Sequence, residues 1–206
     1  MNYFRLSITF ILGFLLTLFL FFLQFPFWIV ISTTFIFFLA FVILPRIFTV
    51  YRSNNLKAIG KFLEMNKKKP IFAYPLALAH GKDAEVEESL RAILEKHKQP
   101  YMQNVYKTIL ALHLNKIDIA HTYSLKIDSD PLKSYYAAFV AAKQGNFEEA
   151  ASHEENINVE WMIHSLHALY ASEKGLQNDF ESFSKKAIDE SRGVQKYLLF
   201  HSFKKM

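Results

Sequence analysis

LSITFILGFLLTLFLFFLQFPFWIVISTTFIFFLAFVIL, residues 6–44, holds no charged side chain. As one helix this run would be about 58 Å long, well beyond the ~30 Å hydrocarbon core of a bilayer. It therefore has to fold back. Gln24-Phe25-Pro26 is the place for the break, because proline removes a backbone donor and pushes the residue before it out of helical conformation. Two segments remain, Leu6–Leu23 and Phe27–Leu44, each about 18 residues and so near the minimum for a span. The short turn predicts a tight antiparallel transmembrane hairpin. A cleaved signal peptide is the competing reading. The apolar region is too long for one, no small-x-small site follows it, and a second apolar segment comes at once.

Thr9, Gly13 and Thr17 recur every four residues and share one helix face, a spacing that lets helices approach closely. Folding back at Phe25 places Thr17 level with Thr33, with Ser32 beside it. Packing within the hairpin is the expected role of this seam; a dimer or pore face is the alternative. Asp, Glu, His, Lys and Arg are all missing from the spans, which argues against a proton relay or ion-coupled transporter. Trp28, beside the turn, suits an interface anchor.

Basic residues flank the apolar run. Arg5 precedes it, and Arg46, Arg52, Lys57, Lys61, Lys67, Lys68 and Lys69 follow, with Glu64 the one acid between Pro45 and Lys69. From Pro70 onward the chain is slightly acidic, so the net charge of +5 is concentrated beside the apolar run. The positive-inside rule places both termini in the cytoplasm, and such a collar is attracted to anionic lipid. Nucleic acid is not an expected partner, because no base-stacking motif accompanies the lysines. Leu56, Ile59, Phe62 and Leu63 have helical spacing and predict a short amphipathic helix, lying at the membrane or capping the next domain. The chain has no cysteine, which fits a reducing compartment. Usage rich in Lys, Phe, Ile and Asn suggests an AT-rich bacterial genome, hence a bacterial plasma (inner) membrane. The expected organisation is a two-span hairpin at 1–46, a basic juxtamembrane helix or linker at 47–69, and a cytoplasmic helical domain at 70–206.

That domain shows no strand-like alternation and reads as all-α. It is self-similar. Tyr106–Asn115, Tyr136–Gly145 and Leu166–Gly175 each open on a large residue. A small residue follows (Thr108, Ala138, Ala168), then two apolar ones, then an alanine (Ala111, Ala141, Ala171). Each segment closes on a turn residue, and the period is 30. Phe72, Leu76, Ala77 and Gly81 fit the same frame. Glycine and asparagine suit the left-handed conformation that ends a helix. After each turn an apolar residue opens a new helical pattern, as at Val86, Ile117, Phe147 and Phe180. One such helical pair cannot bury its own apolar face, whereas several stacked pairs can.

In Gly145-Asn146-Phe147-Glu148-Glu149-Ala150, and in the small residues Ala138 and Ala141, the chain resembles the tetratricopeptide-repeat family. The resemblance covers about Lys67–Ser191 as three to four repeats, with Val194–Phe203 as a capping helix. It departs from the family at Asn104, Ser134 and His164, where an aromatic is usual, and at Lys107, Ala137 and His167, where leucine is usual. The period of 30 is also shorter than the family's 34. A related helical-repeat solenoid or a plain α-helical bundle stays open.

The resemblance implies a concave groove that binds a protein partner, lined by the first helix of each pair. By frame it falls to Met102, Val105, Ile109, Leu132, Tyr135, Phe139, Met162, Ser165 and Leu169, with Lys143 and Glu173 at the rim. Tyr135 combines a large contact area with a polar tip, a type enriched in binding hot spots. The bland alternative for each is packing against neighbouring helices. No arginine and lysine cluster is present to clamp a carboxylate, so a peptide C-terminus is not the favoured ligand.

Glu160, His164 and His167 share a helix face at metal-like spacing and form the one weak zinc candidate; a membrane-bound metal-dependent hydrolase is the enzymatic alternative. No phosphate-binding glycine loop, cysteine nucleophile or nucleophile-elbow serine occurs. No cofactor is expected, and the leading expectation is a membrane-anchored adaptor or scaffold rather than an enzyme. Homo-oligomerisation through the hairpin is a further alternative. Asp128-Ser129-Asp130-Pro131 reads as a turn and helix start, with aspartate capping and proline in the first turn.

Overall fold

The computed structural model describes residues 3–206, with side chains from Leu6 onward, and the described residues are helical with no strand. The side chain of Arg5, on which part of the orientation reading rests, lies outside the described residues.

Helix α1 (Tyr3–Phe22) packs against α2 (Phe27–Phe38). The reversal falls at the expected place. Gln24 takes a left-handed φ of 55°, and Phe25 N–H donates to the Leu20 carbonyl at 3.2 Å, closing the end of α1 as a Schellman-type cap. The register differs by one residue from the expectation. Thr17 pairs with Thr34, their hydroxyls 3.0 Å apart, and not with Thr33. The pivot lies after Phe25 because the left-handed Gln24 and the extended Pro26 together use one more residue than a turn centred on Phe25. Thr9 and Gly13 are buried, and a Cβ on Gly13 would stand 2.8 Å from the Phe38 ring. The small-residue seam is thus used within the chain.

The second helix does not stop at Leu44. A π-helical turn at Leu39–Ile43 leads directly into α3 (Leu44–Tyr51), giving one continuous helix, Phe27–Tyr51. Pro45 explains the π-turn: its ring collides with the carbonyl four residues back in a regular α-helix, and a wider turn relieves that contact. At 25 residues, Phe27–Tyr51 is long and apolar enough to cross a membrane, while Leu6–Phe22 is a shorter apolar helix.

Helix α4 (Leu56–Asn66) is capped by Asn55, whose side chain accepts from Ala58 N–H at 3.1 Å. Its apolar face is not turned to a membrane. Ile59 and Leu63 are fully buried with Leu76 and Tyr197, so α4 is part of the helical domain's core. Its basic residues Lys57 and Lys61, like Arg52, Lys68 and Lys69, are exposed.

Four helix pairs follow: α5 (Pro70–His80) with α6 (Asp83–Lys96), α7 (Pro100–His113) with α8 (Ile117–Ser124), α9 (Leu132–Lys143) with α10 (Phe147–Glu154), and α11 (Glu160–Glu173) with α12 (Gln177–Glu190). Their turns carry Gly81, Asn115, Gly145 and Gly175 at φ of 71°, 54°, 79° and 70°. The small frame residues Thr108, Ala138, Ala168, Ala111, Ala141 and Ala171 are all buried, which lets successive pairs stack closely. Residues thirty apart in sequence touch in space. Ser165 Oγ is 3.1 Å from Tyr135 Oη, and Lys143 Nζ is 2.6 Å from Glu173 Oε1. The rim pair Lys143 and Glu173 is therefore a salt bridge between neighbouring pairs. At the Gly145 turn, Asn146 accepts from Glu149 N–H and donates to its carboxylate at 2.8 Å, a reciprocal cap on α10. Asp130 Oδ1 caps α9, accepting from Ser134 N–H at 3.1 Å and Ser134 O–H at 2.6 Å.

The last helix, α13 (Gly193–Phe203), does more than cover the end of a stack. It packs against α12, and also against α3, α4 and α5. The row of pairs is thereby closed back on its own beginning, at the foot of the long apolar helix.

Candidate internal cavity

The closure deepens the groove into a half-open cavity of about 440 Å³. Its wall is built by the first helices of the pairs and by α13. Six of the nine frame-predicted groove residues line it: Met102, Val105 and Ile109 from α7, and Leu132, Tyr135 and Phe139 from α9. The other three do not. Met162 and Leu169 are buried in packing clusters, and Ser165 spends its hydroxyl on Tyr135 and on the Met162 carbonyl at 2.8 Å. The frame fails for α11 because only its first turn, through Trp161, reaches the cavity.

Tyr135 is not the open hot spot that an exposed groove would offer. It is 8% exposed, set among Tyr136, Phe139 and Trp161 at ring-centroid distances of 5.2, 6.2 and 5.8 Å. It is a structural wall. The residues that sequence reading missed are Tyr74, Tyr101, Tyr106, Tyr136, Trp161 and the α13 face of Gln195, Leu198 and Leu199. Tyr106 and Tyr136 open their repeat segments, so the signal was in the frame. The α13 contribution had no local signal, because it depends on closure between the two ends of the domain.

The electrostatics are simple. Burial pushes the Tyr106 hydroxyl up to about 12, with Tyr101 adding to the rise. Burial likewise raises Tyr74, Tyr135 and Tyr136. All four are neutral phenols at physiological pH. Apart from the tyrosines, His113 is the one titratable residue in the wall, and its Nε2 lies 3.2 Å from the Asp83 carbonyl. The lining has no carboxylate and no ammonium or guanidinium group.

The zinc candidate is not assembled. His164 Nε2 faces Glu190 Oε1 at 3.3 Å, and His167 Nε2 faces Glu154 Oε1 at 2.7 Å. Each histidine takes a different carboxylate, neither of them that of Glu160; the Phe183 ring stacks on His164 and meets His167 edge-on. Among the described residues no group of three His, Cys, Asp or Glu side chains is placed to hold a metal ion.

A second cavity of about 580 Å³ adjoins the first, sharing Tyr74, Tyr106, Trp161, Gln195 and Leu198 with it. Its outer lining includes Val50 and Tyr51, the last turn of the apolar helix. Comparison of the chain with protein-family models, with curated proteins and with solved structures finds no match, so its fold and its cavities stand on their own physical description.

Proposed function

We propose that this protein is a membrane-anchored binding protein, an adaptor, with a helical-repeat domain of the tetratricopeptide kind. In this reading α1 and the Phe27–Tyr51 helix form a two-span hairpin in a bacterial plasma membrane, with both termini and the helical domain in the cytoplasm. The basic residues from Arg46 to Lys69 sit against anionic lipid. The inner cavity receives an uncharged, largely apolar segment of a protein partner.

The observation that carries this reading is convergence. Side chains at equivalent frame positions of α7 and α9 come together on one cavity wall. Five tyrosines, Phe139 and Trp161 stand in that wall, and they supply large contact area with hydroxyl tips for orientation. The separate partners of His164 and His167 give the hydrolase alternative no comparable support, and the Gly13 seam is occupied within the hairpin.

A photoreactive phenylalanine analogue at half-buried Phe139, in native membranes, tests the reading. Exposed Lys116 is the control position. A discrete protein adduct at 139, absent at 116 and lost when Leu132 is enlarged to Trp, is the expected result. Absence of any adduct in folded protein at both positions overturns the partner reading.

A further inference from the structure

The outer cavity sits where the helical domain meets the foot of the long apolar helix. Val50 and Tyr51 form one lip; Ile71, Phe72 and Pro75 of α5 and Val194 of α13 form the opposing wall. Glu190 and Arg192 are its two charged lining residues: Glu190 Oε1 lies 3.3 Å from His164 Nε2 while Glu190 Oε2 is buried with no hydrogen-bond partner among the described residues, and Arg192 Nη1 donates to the Ser191 carbonyl at 2.8 Å. The rest of the lining is apolar or aromatic except Gln195.

Its depth follows from helix geometry. Counting about 20 residues from Phe27 across a ~30 Å hydrocarbon core ends at Arg46. Val50 and Tyr51 then lie about 6–8 Å farther on, at the level of the lipid headgroups. Ile47, Phe48 and Tyr51 are large apolar or aromatic side chains left exposed there, 48%, 58% and 70% accessible. The domain is held close to this level, because Gly193 N–H donates to the Ser53 carbonyl at 2.8 Å and α13 packs on α3.

We propose that the outer cavity takes the acyl chain of a membrane amphiphile. This rests on the membrane-anchored reading above and is independent of the protein-partner reading. The volume lies within the range of small-molecule sites, roughly 300–1,000 Å³. The lip is apolar and stands about 6–8 Å beyond the hydrocarbon core, close enough for an acyl chain of the adjoining leaflet to reach it. Moving a chain from bilayer to cavity exchanges one apolar surrounding for another, so local concentration and fit against Phe72 and Trp161 drive occupancy, not removal from water. Tyr74, Tyr106 and Trp161 form a wall shared with the inner cavity.

The test is photolabelling of the full chain in phosphatidylethanolamine–phosphatidylglycerol vesicles, with adducts mapped by mass spectrometry. One arm uses a phospholipid with a diazirine in its acyl chain, the other a diazirine fatty acid. Adducts on Ile71, Phe72 or Val194 support the proposal, and the arm that yields them tells a leaflet phospholipid from a free fatty acid. Ile71→Trp, verified as folded by circular dichroism, is expected to reduce these adducts several-fold while labelling within residues 6–48 is unchanged. Adducts confined to residues 6–48 overturn the proposal and leave the membrane anchor standing. No adducts anywhere overturn both.

Discussion

Gly193 is in direct backbone contact with Val50: a Cβ at position 193 would lie 1.9 Å from the Val50 carbonyl oxygen. Only glycine fits there. The φ of Gly193, 58°, adds a second reason. Through this contact the end of the apolar helix is joined to the last helix of the domain, some 140 residues later in the chain. The position invites a comparison with Gly175, which has a φ of 70° but nothing within 4 Å of a built Cβ. Gly175→Ala is expected to cost about 1–2 kcal/mol, the conformational part alone. Gly193→Ala carries that cost plus about 1–3 kcal/mol of overpacking against Val50. Thermal unfolding of the two variants checks the order, and faster proteolysis between α3 and α4 is expected for Gly193→Ala only.

The register of the N-terminal helices is open to a direct test, since the chain has no cysteine to interfere. Thr17→Cys with Thr34→Cys is expected to form an intramolecular disulfide readily, and Thr17→Cys with Thr33→Cys slowly or not at all. Gly13→Leu is expected to abolish the first disulfide, because its side chain would displace the Phe38 ring that now lies 2.8 Å from the built Cβ. Thr34→Val alone should have a small effect, about 0.5–1.5 kcal/mol, the usual net value of one hydrogen bond. Thr17 also keeps its 2.8 Å bond to the Gly13 carbonyl.

Tyr135 separates wall from partner contact. Tyr135→Phe removes one hydrogen bond to Ser165, which retains the Met162 carbonyl, and is expected to cost about 1 kcal/mol. Tyr135→Ala empties a buried aromatic site and is expected to cost about 3–5 kcal/mol. Loss of binding in Tyr135→Ala therefore comes with loss of fold. Phe139→Leu, at a half-buried cavity position, is the variant expected to weaken partner capture with the melting temperature little changed.

His201 supplies a pH dependence. Burial, and then the nearby Lys204 and His80, hold its imidazole below the ordinary 6.5. The unfolded chain then binds a proton more readily than the folded one, so this contribution to stability is intact above 6.5 and is lost as pH falls below it, levelling out under the folded pKa. His201→Phe keeps a ring against Tyr197, whose centroid is 4.4 Å away, and removes the titration. Denaturant midpoints between pH 7 and pH 5 are expected to fall less steeply in this variant than in the parent, an expectation that equal slopes would refute.

Much of the architecture was legible in local signals. The charge-free run and Pro26 located the first reversal; Gly81, Asn115, Gly145 and Gly175 located four more, and all four adopt the left-handed φ that those residue types permit. The period of 30 anticipated the Ser165–Tyr135 and Lys143–Glu173 contacts, because stacked equivalents face one another. Six cavity residues followed from the same frame. The one-residue register of Thr17 and Thr34 was not legible, because it depends on how many residues the Gln24 turn consumes, a matter of φ and ψ and not of composition. Nor was the passage of the second apolar helix through Pro45, since a π-turn is a cooperative relief of one steric contact.

Residue type and spacing by themselves determined that the chain is helical, that its charge gathers beside an apolar N-terminal run, and which faces of α7 and α9 turn to the cavity. Tertiary structure alone decided that this face lines a half-open cavity, that Tyr135 is wall and not surface, and that the neighbouring His164 and His167 face different carboxylates, Glu190 and Glu154. The reason is closure. Helix α13 reaches back to α3, α4 and α5, and that contact is made between segments far apart in sequence, where no local pattern can specify a partner.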